Sequence, residues 1–232
     1  MALGSTASLR RTARIDLAAF VANLQRLLQS DDLLILDARA DAYGHGAATL
    51  VPAALEAGVA TVRVSPNQAG LAGVKRSRLM TVPSVSRRLV GAEAYGVAGD
   101  FIPVLTVAGE VVAVKPTEAD AGVSYGYTYR TTEATTLALV GLGYADGVPR
   151  LASNRASVFI GGAVHPLVGR VAMDQFVVDC GSATPSVGDE AVLFGNPAQG
   201  HPSAAEWGDL TGRSALDLTA GLGARIERVF HG

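Results

Sequence analysis

The sequence is poor in the features that mark secreted, membrane-bound and nucleic-acid-binding proteins. Its 232 residues include one cysteine, Cys180, so no internal disulfide can form and a reducing cytoplasm is the expected setting. There is no basic run, and a net charge of -2 argues against a nucleic-acid partner. No apolar stretch reaches the roughly 18 uncharged residues of a membrane helix, and the arginines near the start adjoin no apolar core. Neither membrane insertion nor export is therefore expected.

Metal and nucleotide signatures are also absent from the sequence. The four histidines and the one cysteine show no spacing typical of metal ligands. Neither a Gly-Lys-Ser nor a Gly-x-Gly-x-x-Gly pattern occurs. Cys180 follows a valine-rich segment and is interpreted as a buried small hydrophobe. With 49% hydrophobic and 17% charged residues, the chain has the composition of a globular protein of one large or two modest domains.

The first part of the sequence alternates between predicted strands and helices. Asp16 has the position of an N-cap, and apolar residues from position 17 to 28 recur on one helical face. The apolar run over 33–37 predicts a parallel strand buried on both faces. Further predicted elements are a helix over 47–57, a strand over 60–64, a crossover helix over 65–75 and a strand over 78–85. Arg39 follows the strand over 33–37 and so lies at its C-terminal end. In an α/β barrel the catalytic residues lie at this end of the strands.

From about residue 97 the pattern changes to short strands separated by glycine turns. Predicted strands cover 104–107 and 110–114, joined in a hairpin at Ala108-Gly109, then 136–142, 157–160 and 164–168 joined by Gly161-Gly162, 176–179, 190–194 and 225–230. A polar turn and a helix over 214–219 precede the last strand. Two or three β/α units cannot close an eight-stranded barrel. The predicted fold is α/β plus all-β: a partial (β/α) TIM-barrel remnant over 1–96, then a C-terminal antiparallel β domain over 97–232.

Four segments of the sequence carry a family resemblance. They read Ala38-Arg39-Ala40-Asp41-Ala42-Tyr43-Gly44-His45-Gly46, Gly122-Val123-Ser124-Tyr125-Gly126, Gly143-Tyr144-Ala145-Asp146-Gly147-Val148-Pro149-Arg150 and Val168-Gly169-Arg170-Val171-Ala172-Met173-Asp174-Gln175. In this order they resemble the signatures of the alanine racemase family, whose members interconvert L- and D-alanine with pyridoxal 5'-phosphate (PLP). The resemblance covers nearly all of the chain but skips the middle of the family's fold.

The family resemblance implies an architecture, an assembly and a set of site residues. A fold-type III PLP barrel is followed by a β domain, and two subunits pair head to tail so that one β domain completes the other's site. The matched positions are Arg39 for the PLP lysine, Tyr43 for a cofactor contact near the phosphate, Tyr125 for the second proton-transfer base, Met173 for a backbone contact to the substrate carboxylate, and Tyr144, Arg150, Arg170 and Asp174 for the access channel. The implied substrate is a small amino acid, alanine.

Three positions depart from the family pattern, and all concern the cofactor. Arg39 stands where the family has the PLP lysine, and its guanidinium stays protonated and cannot form an imine with the PLP aldehyde. Leu89, beside Arg88, stands where the family has the arginine that bonds the pyridine nitrogen. Leu216 stands where a tyrosine holds the phosphate. Together they indicate relaxed constraint on PLP binding.

The residues also allow simpler interpretations. Tyr125 and Tyr144 have the character of packing residues at a sheet edge. His45 fits a Gly-His-Gly turn as a loop former, and Met173 fits a core gap-filler. An exposed ion pair would account for Arg170 and Asp174.

The sequence leaves three hypotheses open. The chain is a racemase homologue that still binds PLP or an amino acid, with weak or absent racemisation. Alternatively, it is a non-catalytic paralogue whose β domain pairs with itself, as a homodimer, or with a full-length racemase. The third hypothesis is a shortened product whose half-barrel is completed by oligomerisation or is partly disordered, so that apolar edges favour aggregation.

Overall fold

A computed structural model describes residues 9–232 except residues 69, 72 and 83–86. The strands are β1 (Arg11–Asp16), β2 (Ile35–Asp37), β3 (Thr61–Arg63), β4 (Leu79–Met80), β5 (Leu89–Val90), β6 (Leu105–Thr117), β7 (Gly122–Val123), β8 (Tyr129–Arg130), β9 (Thr135–Val140), β10 (Ser157–Ile160), β11 (Ala163–Val168), β12 (Phe176–Asp179), β13 (Glu190–Phe194) and β14 (Glu227–His231). The helices are α1 (Leu17–Leu28), α2 (Arg39–Tyr43), α3 (Ala47–Glu56), α4 (Ala204–Thr211) and α5 (Ala215–Ala220).

Four short strands form a parallel sheet in the order β4-β3-β2-β5. β2 pairs in parallel with both β3 and β5, which puts the residues after β2 at the middle of one sheet edge. The predicted helix over 17–28 is present as α1. Its predicted N-cap is also confirmed, because Asp16 Oδ1 accepts a 2.9 Å hydrogen bond from the N–H of Ala19. Phe20 and Leu24 of α1 are fully buried. The outer strands β4 and β5 have two residues each, so they leave little unpaired backbone.

Eight strands form a second sheet in the order β13-β10-β11-β12-β9-β6-β1-β14. β13 also pairs with β6, so the six strands from β13 to β6 close into a ring. Every pairing within the ring is antiparallel, which confirms the antiparallel β structure predicted for the second part, although that part also contains α4 and α5. The hairpin predicted through Gly161-Gly162 is confirmed as β10 and β11. β1 and β14 extend the sheet beyond the ring and pair with each other in parallel.

The hairpin predicted at Ala108-Gly109 is wrong. β6 runs without a turn from Leu105 to Thr117, and Gly109 pairs with β1 on one side and with β13 on the other. A β carbon on Gly109 would lie 2.6 Å from the side chain of Leu142. This glycine therefore allows close packing over an extended strand and does not make a turn.

Three other predictions are corrected by the structure. In place of the helix over 65–75 there is one 3-10 turn at Pro66–Gln68, with residues 69 and 72 outside the described part. The strand over 78–85 is reduced to β4, and residues 83–85 are likewise not described. In place of the polar turn predicted before residue 214 there is helix α4. It begins at a capping box between Ser203 and Glu206.

The predicted helix near residue 214 is confirmed as α5, with Ser214 as its N-cap. α4 carries the single tryptophan, Trp207, which is buried and donates from Nε1 to the carbonyl of Ser157 at 3.0 Å. No helix among the described residues has the length and apolar character to cross a membrane.

Candidate functional site

The signature segment, α2, follows β2 and is a left-handed turn, not a regular right-handed helix. Residues 40–43 all have φ between 50° and 57°. Left-handed backbone costs an L-residue about 1–2 kcal/mol, and such strain clusters at functional segments. Hydrogen bonds hold the turn in place: Asp41 Oδ1 accepts from the N–H of Ala47 at 2.8 Å, and Ser65 Oγ accepts from the N–H of Ala40 at 3.1 Å.

Arg39 is paired with the buried carboxylate of Asp37. Its Nε donates to Oδ1 at 2.8 Å and its Nη2 donates to Oδ2 at 2.6 Å. The hydroxyl of Tyr43 donates to the same Oδ2 at 3.0 Å, and Arg63 Nη1 lies 3.9 Å from it. The Asp37 side chain is 5% exposed and that of Arg39 is 41% exposed. The contact is a two-point, charge-assisted pair with a buried acceptor.

The charges of this cluster are mutually fixed. Burial favours the neutral form of Asp37, but hydrogen bonds from Arg39 and Tyr43 outweigh it and hold the pKa of the carboxyl below its usual range. The bond to Asp37 raises the pKa of the Arg39 guanidinium still further. Burial and the charge of Asp37 raise the pKa of the Tyr43 hydroxyl. At neutral pH the cluster is thus a carboxylate, a guanidinium and a neutral phenol.

A buried aromatic layer supports the turn from below. The hydroxyl of Tyr95 donates to the carbonyl of Asp37 at 2.8 Å, and its ring stacks on Phe20 and lies 4.6 Å from the ring of His45 at a tilt of 31°. His45 is fully buried, with Nδ1 2.9 Å from the carbonyl of Ala42. Burial lowers the pKa of His45 to about 4, so the imidazole is neutral near pH 7. These contacts support the interpretation of His45 as a loop former.

Helix α5 packs against the back of α2. The carbonyl of Thr219 occupies the space that a β carbon on Gly44 would need, and Arg228 Nε donates to the carbonyl of Gly44 at 3.3 Å. Leu216 lies partly buried on the same helix. The two positions that the resemblance relates to the cofactor phosphate, 43 and 216, therefore lie on contacting elements.

Three loops of the β domain meet at one rim of the ring: the β7–β8 hairpin, segment 143–154 and segment 168–175. Ser124 Oγ donates to the carbonyl of Arg170 at 2.8 Å, which joins the hairpin to the third loop. Asn154 Nδ2 donates to Thr128 Oγ1 at 3.1 Å, which joins the hairpin to the second. We call this surface the rim. It brings together six of the predicted site residues: Tyr125, Tyr144, Arg150, Arg170, Met173 and Asp174.

Several side chains of the rim are exposed to solvent. Tyr125 is 83% exposed and Met173 is 53% exposed, so neither is the packing residue of the simpler interpretation. Tyr144 is 40% exposed and lies under the guanidinium of Arg150, 5.7 Å from the ring centroid. The Tyr144 and Ala145 N–H groups each donate at 3.0 Å, to the carbonyls of Ala172 and Met173.

The ion pair considered between Arg170 and Asp174 is wrong. Asp174 Oδ1 instead accepts from Nη1 of Arg225 at 2.6 Å. Nε of Arg225 donates at 2.9 Å to Asp146 Oδ1, a carboxylate with no exposed surface. Asp146 Oδ2 accepts the N–H of Gly143 at 2.9 Å. Arg225 thus joins the second and third loops of the rim.

The rim and the Asp37–Arg39 cluster are separate. Within the described residues no hydrogen bond or ion pair connects Arg39 or Tyr43 to a rim residue. α5 adjoins both, because it packs against α2 and because its Asp217, with Arg213 just before the helix, lines a cavity of about 620 Å³ together with Tyr144 and Arg150. No cluster of three metal-ligating side chains occurs in the part of the chain that the structure describes.

Sequence reasoning missed Asp37 and Arg225. A carboxylate in a strand buried on both faces is unusual enough to have marked Asp37, because buried aspartates are nearly always paired. Arg225 carries no such local signal. Its partners are 51 and 79 residues away in the sequence.

The structure defines a class of protein in which a parallel β/α unit, with a left-handed signature turn, adjoins a closed antiparallel β ring. The profile of the alanine racemase C-terminal domain matches residues 104–230, more than half of the sequence. The chain therefore belongs to the alanine racemase family.

Individual relatives agree with this family. The alanine racemase of Salinispora tropica is 38% identical over 205 residues, which are 83% of this chain and 55% of that protein. The structure of alanine racemase from Streptomyces coelicolor gives a TM-score of 0.86 at 24% identity, over 95% of this chain and 98% of that one. Alanine racemase from Bartonella henselae with covalently bound pyridoxal phosphate gives 0.81 at 19% identity, over 96% and 99%. These two likenesses show the fold. The chain spans about half or less of the length of the curated relatives it matches.

The residues at the family's attachment point do not fit a covalent link to PLP. An imine needs a neutral primary amine, and position 39 carries a guanidinium held on Asp37. The hydroxyl of Tyr43 donates to Asp37, and Leu216 offers no hydrogen bond donor to a phosphate.

Proposed function

We propose that this chain is a cytoplasmic alanine racemase relative that forms no PLP imine at position 39 and acts by pairing its rim with a barrel of the same family. The partner is a second copy of the chain or a full-length alanine racemase. On this proposal residues 1–96 are a partial barrel remnant, apart from strand β1, which joins the sheet of the second part, and residues 97–232 are the pairing domain. Interconversion of L- and D-alanine by the isolated chain is then weak or absent.

The observation that carries the proposal is the two-point pair between Arg39 and Asp37. Both Nε and Nη2 of the guanidinium are engaged, at 2.8 and 2.6 Å, with a carboxylate that is 5% exposed. A group so placed neither offers a neutral nitrogen to an aldehyde nor removes a proton from a substrate carbon near pH 7.

Exposed apolar side chains support a pairing role for the rim. Contiguous exposed aromatic and aliphatic groups are typical of protein interfaces, where aromatic residues, methionine and arginine are enriched. The rim and its border carry Tyr125, Tyr127, Tyr144, Leu151 and Met173, all at least 40% exposed.

Within such a pair we assign the matched residues the roles that the family implies. With a full-length racemase as the partner, Tyr125 would enter the partner's site as the base opposite its lysine, and the backbone at Met173 would face the substrate carboxylate. Arg150, Arg170 and Asp174 would place charges along the access channel, which favours a small zwitterion such as alanine.

A second candidate function is non-covalent binding of PLP or an amino acid at Arg39 and Tyr43. The observation in its favour is the 41% exposure of the Arg39 side chain, because a guanidinium can bind a phosphate or carboxylate without forming a covalent bond.

The cofactor part of the proposal is tested by titrating the purified chain with PLP, reducing with borohydride and measuring the intact mass. The chain has two lysines, Lys75 and Lys115, so few amines compete. We expect no stoichiometric adduct. A saturable adduct at either lysine would contradict the proposal, and a saturable spectral shift without an adduct would favour the second candidate.

The pairing part is tested by mixing the chain with a full-length alanine racemase whose own tyrosine, at the position that matches Tyr125, is replaced by phenylalanine. We expect a mixed dimer in light scattering and a gain in racemase activity. The Tyr125→Phe chain should form the same dimer without the gain. Absence of both a mixed dimer and a homodimer would overturn this part.

A further inference from the structure

We infer that Asp37, together with Arg39, sets the reactivity of position 39 toward an aldehyde, so that restoring a lysine at 39 does not by itself restore imine formation. The inference rests on the proposed absence of an imine at this position. It goes further, because it assigns the failure of imine formation to two residues. One of them, Asp37, would also act on a lysine amine placed at position 39.

The geometry of Asp37 supports this role. Its carboxylate belongs to β2, accepts hydrogen bonds from Nε and Nη2 of Arg39, and accepts another from the Tyr43 hydroxyl at 3.0 Å. Arg63, on the neighbouring strand β3, lies 3.9 Å away. These are the charged and titratable groups that face it, together with the Tyr95 hydroxyl, which donates to the Asp37 carbonyl. The carboxylate is thus fixed beside the side chain of residue 39 from several elements.

A lysine introduced at position 39 would meet the same buried carboxylate. An opposite charge at hydrogen-bond distance stabilises the ammonium form, and the low solvent exposure of Asp37 strengthens the attraction. The pKa of such an amine is expected above the usual 10.4 of lysine, whereas imine formation near pH 7 needs a lowered one.

The chemistry explains why the protonation state decides the outcome. The nitrogen lone pair attacks the aldehyde carbon, a C–N bond forms, and the carbonyl oxygen leaves as water with two protons from the nitrogen. An ammonium has no lone pair and must first release a proton to solvent. Each unit of pKa removed from the amine therefore raises the reactive fraction about tenfold at a fixed pH.

Tyr43 gives a second consequence of the same carboxylate. Its hydroxyl donates to Asp37 Oδ2 and also lies 3.2 Å from Arg39 Nη2. Replacing Asp37 with alanine removes the acceptor of this hydroxyl, which the family resemblance relates to the cofactor phosphate. Asp37 therefore controls both groups of the signature turn that the family directs at PLP.

The experiment compares Arg39→Lys with the double variant Asp37→Ala/Arg39→Lys. Each is incubated with PLP from pH 6 to 10, reduced with borohydride and mapped by peptide mass, which separates residue 39 from Lys75 and Lys115. We expect the double variant to label at residue 39 at neutral pH, at least about tenfold faster than the single variant. The single variant should need alkaline pH.

Control variants keep the test decisive. Asp37→Asn/Arg39→Lys removes the charge with little change of shape, and replaces the alanine variant if that one fails to fold. Arg26→Lys places a lysine on an exposed part of α1 and measures background labelling. Trp207 fluorescence verifies folding in each case.

Two results would overturn the inference. One is equal labelling of residue 39 in the single and double variants at neutral pH. The other is absence of labelling at residue 39 in folded double variants. Saturable labelling of Lys75 or Lys115 in the unaltered chain, above the background measured at position 26, would contradict the proposed function and leaves the comparison at residue 39 intact.

Discussion

The hydroxyl of Tyr129 donates a 2.8 Å hydrogen bond to Oδ2 of Asp179, which ties the β7–β8 hairpin to strand β12 of the ring. Oδ1 of Asp179 accepts from the Thr135 hydroxyl and from the N–H of Gly181. Partial burial would raise the pKa of Asp179, but these hydrogen bonds outweigh it and hold the pKa below its usual range. The exposed Tyr125 is thus carried on a hairpin with an anchored base.

Removing this anchor should loosen the hairpin. Tyr129→Phe is expected to lower the free energy of unfolding by about 1 kcal/mol and to speed amide hydrogen exchange at Val123. Because the folded pKa of Asp179 is depressed, its stabilisation is present above the unfolded pKa of about 3.9 and is lost as the pH falls below it. The difference from the unaltered chain should therefore shrink in acid. Tyr127→Phe is the control, and equal exchange in the two variants would refute the anchor.

Arg225 should be required for the shape of the rim. Arg225→Ala leaves Asp146 buried with Arg11 Nε at 3.5 Å as its remaining ion-pair partner, and releases Asp174. The thermal midpoint is expected to fall by several degrees, and the tendency of the chain to pair should weaken. Arg213→Ala breaks an exposed pair with Asp217 and should change neither quantity appreciably. An unchanged thermal midpoint and unchanged pairing in Arg225→Ala would show that the rim does not depend on Arg225.

His45 should make the fold sensitive to mild acid. Its pKa is about 4 in the folded chain and about 6.5 when unfolded, so unfolding takes up a proton between these values. The free energy of unfolding is therefore at its full value above pH 6.5 and decreases by about 3 kcal/mol as the pH falls toward 4. Urea unfolding followed by Trp207 fluorescence at several pH values measures the slope of the free energy of unfolding against pH. His45→Gln keeps a donor and does not titrate, so its slope over this range should be shallower; identical slopes would rule out the assignment.

Gly109 should be intolerant of any side chain although it lies in an extended strand. Gly109→Ala places a β carbon 2.6 Å from Leu142, which must move, and the free energy of unfolding should fall by about 1–3 kcal/mol. Gly70→Ala meets nothing within 4 Å and is the matched control, expected within about 0.5 kcal/mol of the unaltered chain. Equal stability of the two variants would contradict the packing role.

Local signals in the sequence account for the elements that were predicted well. The N-caps at Asp16 and Ser214 and the turn Gly161-Gly162 are determined by neighbouring residues, and the corresponding helices and hairpin are present. Gly109 was misread because a glycine required by a distant side chain is indistinguishable from a turn glycine within a short window.

The residues of the candidate site also differ in whether local sequence predicts them. Arg39, Tyr43 and Tyr125 stood out because they lie in contiguous motifs, and the structure keeps each motif on one turn or hairpin. The pairing of Asp174 with Arg225 joins residues 51 positions apart, and the closure of the ring through β6 and β13 is equally non-local. Such contacts depend on tertiary packing, which no single segment encodes.

The parallel pairing of β1 with β14 determines how the fold carries mechanical load. Thr12 lies opposite Glu227 and Asp16 lies opposite His231, so the first strand begins at one end of the ladder and the last strand finishes at the other. Tension applied between Arg11 and His231 therefore runs along the two strands in opposite directions and shears the ladder. Its hydrogen bonds share the force and must break together. A force–extension measurement between these two points should give one high rupture peak before either sheet opens, and a series of low peaks would exclude this geometry.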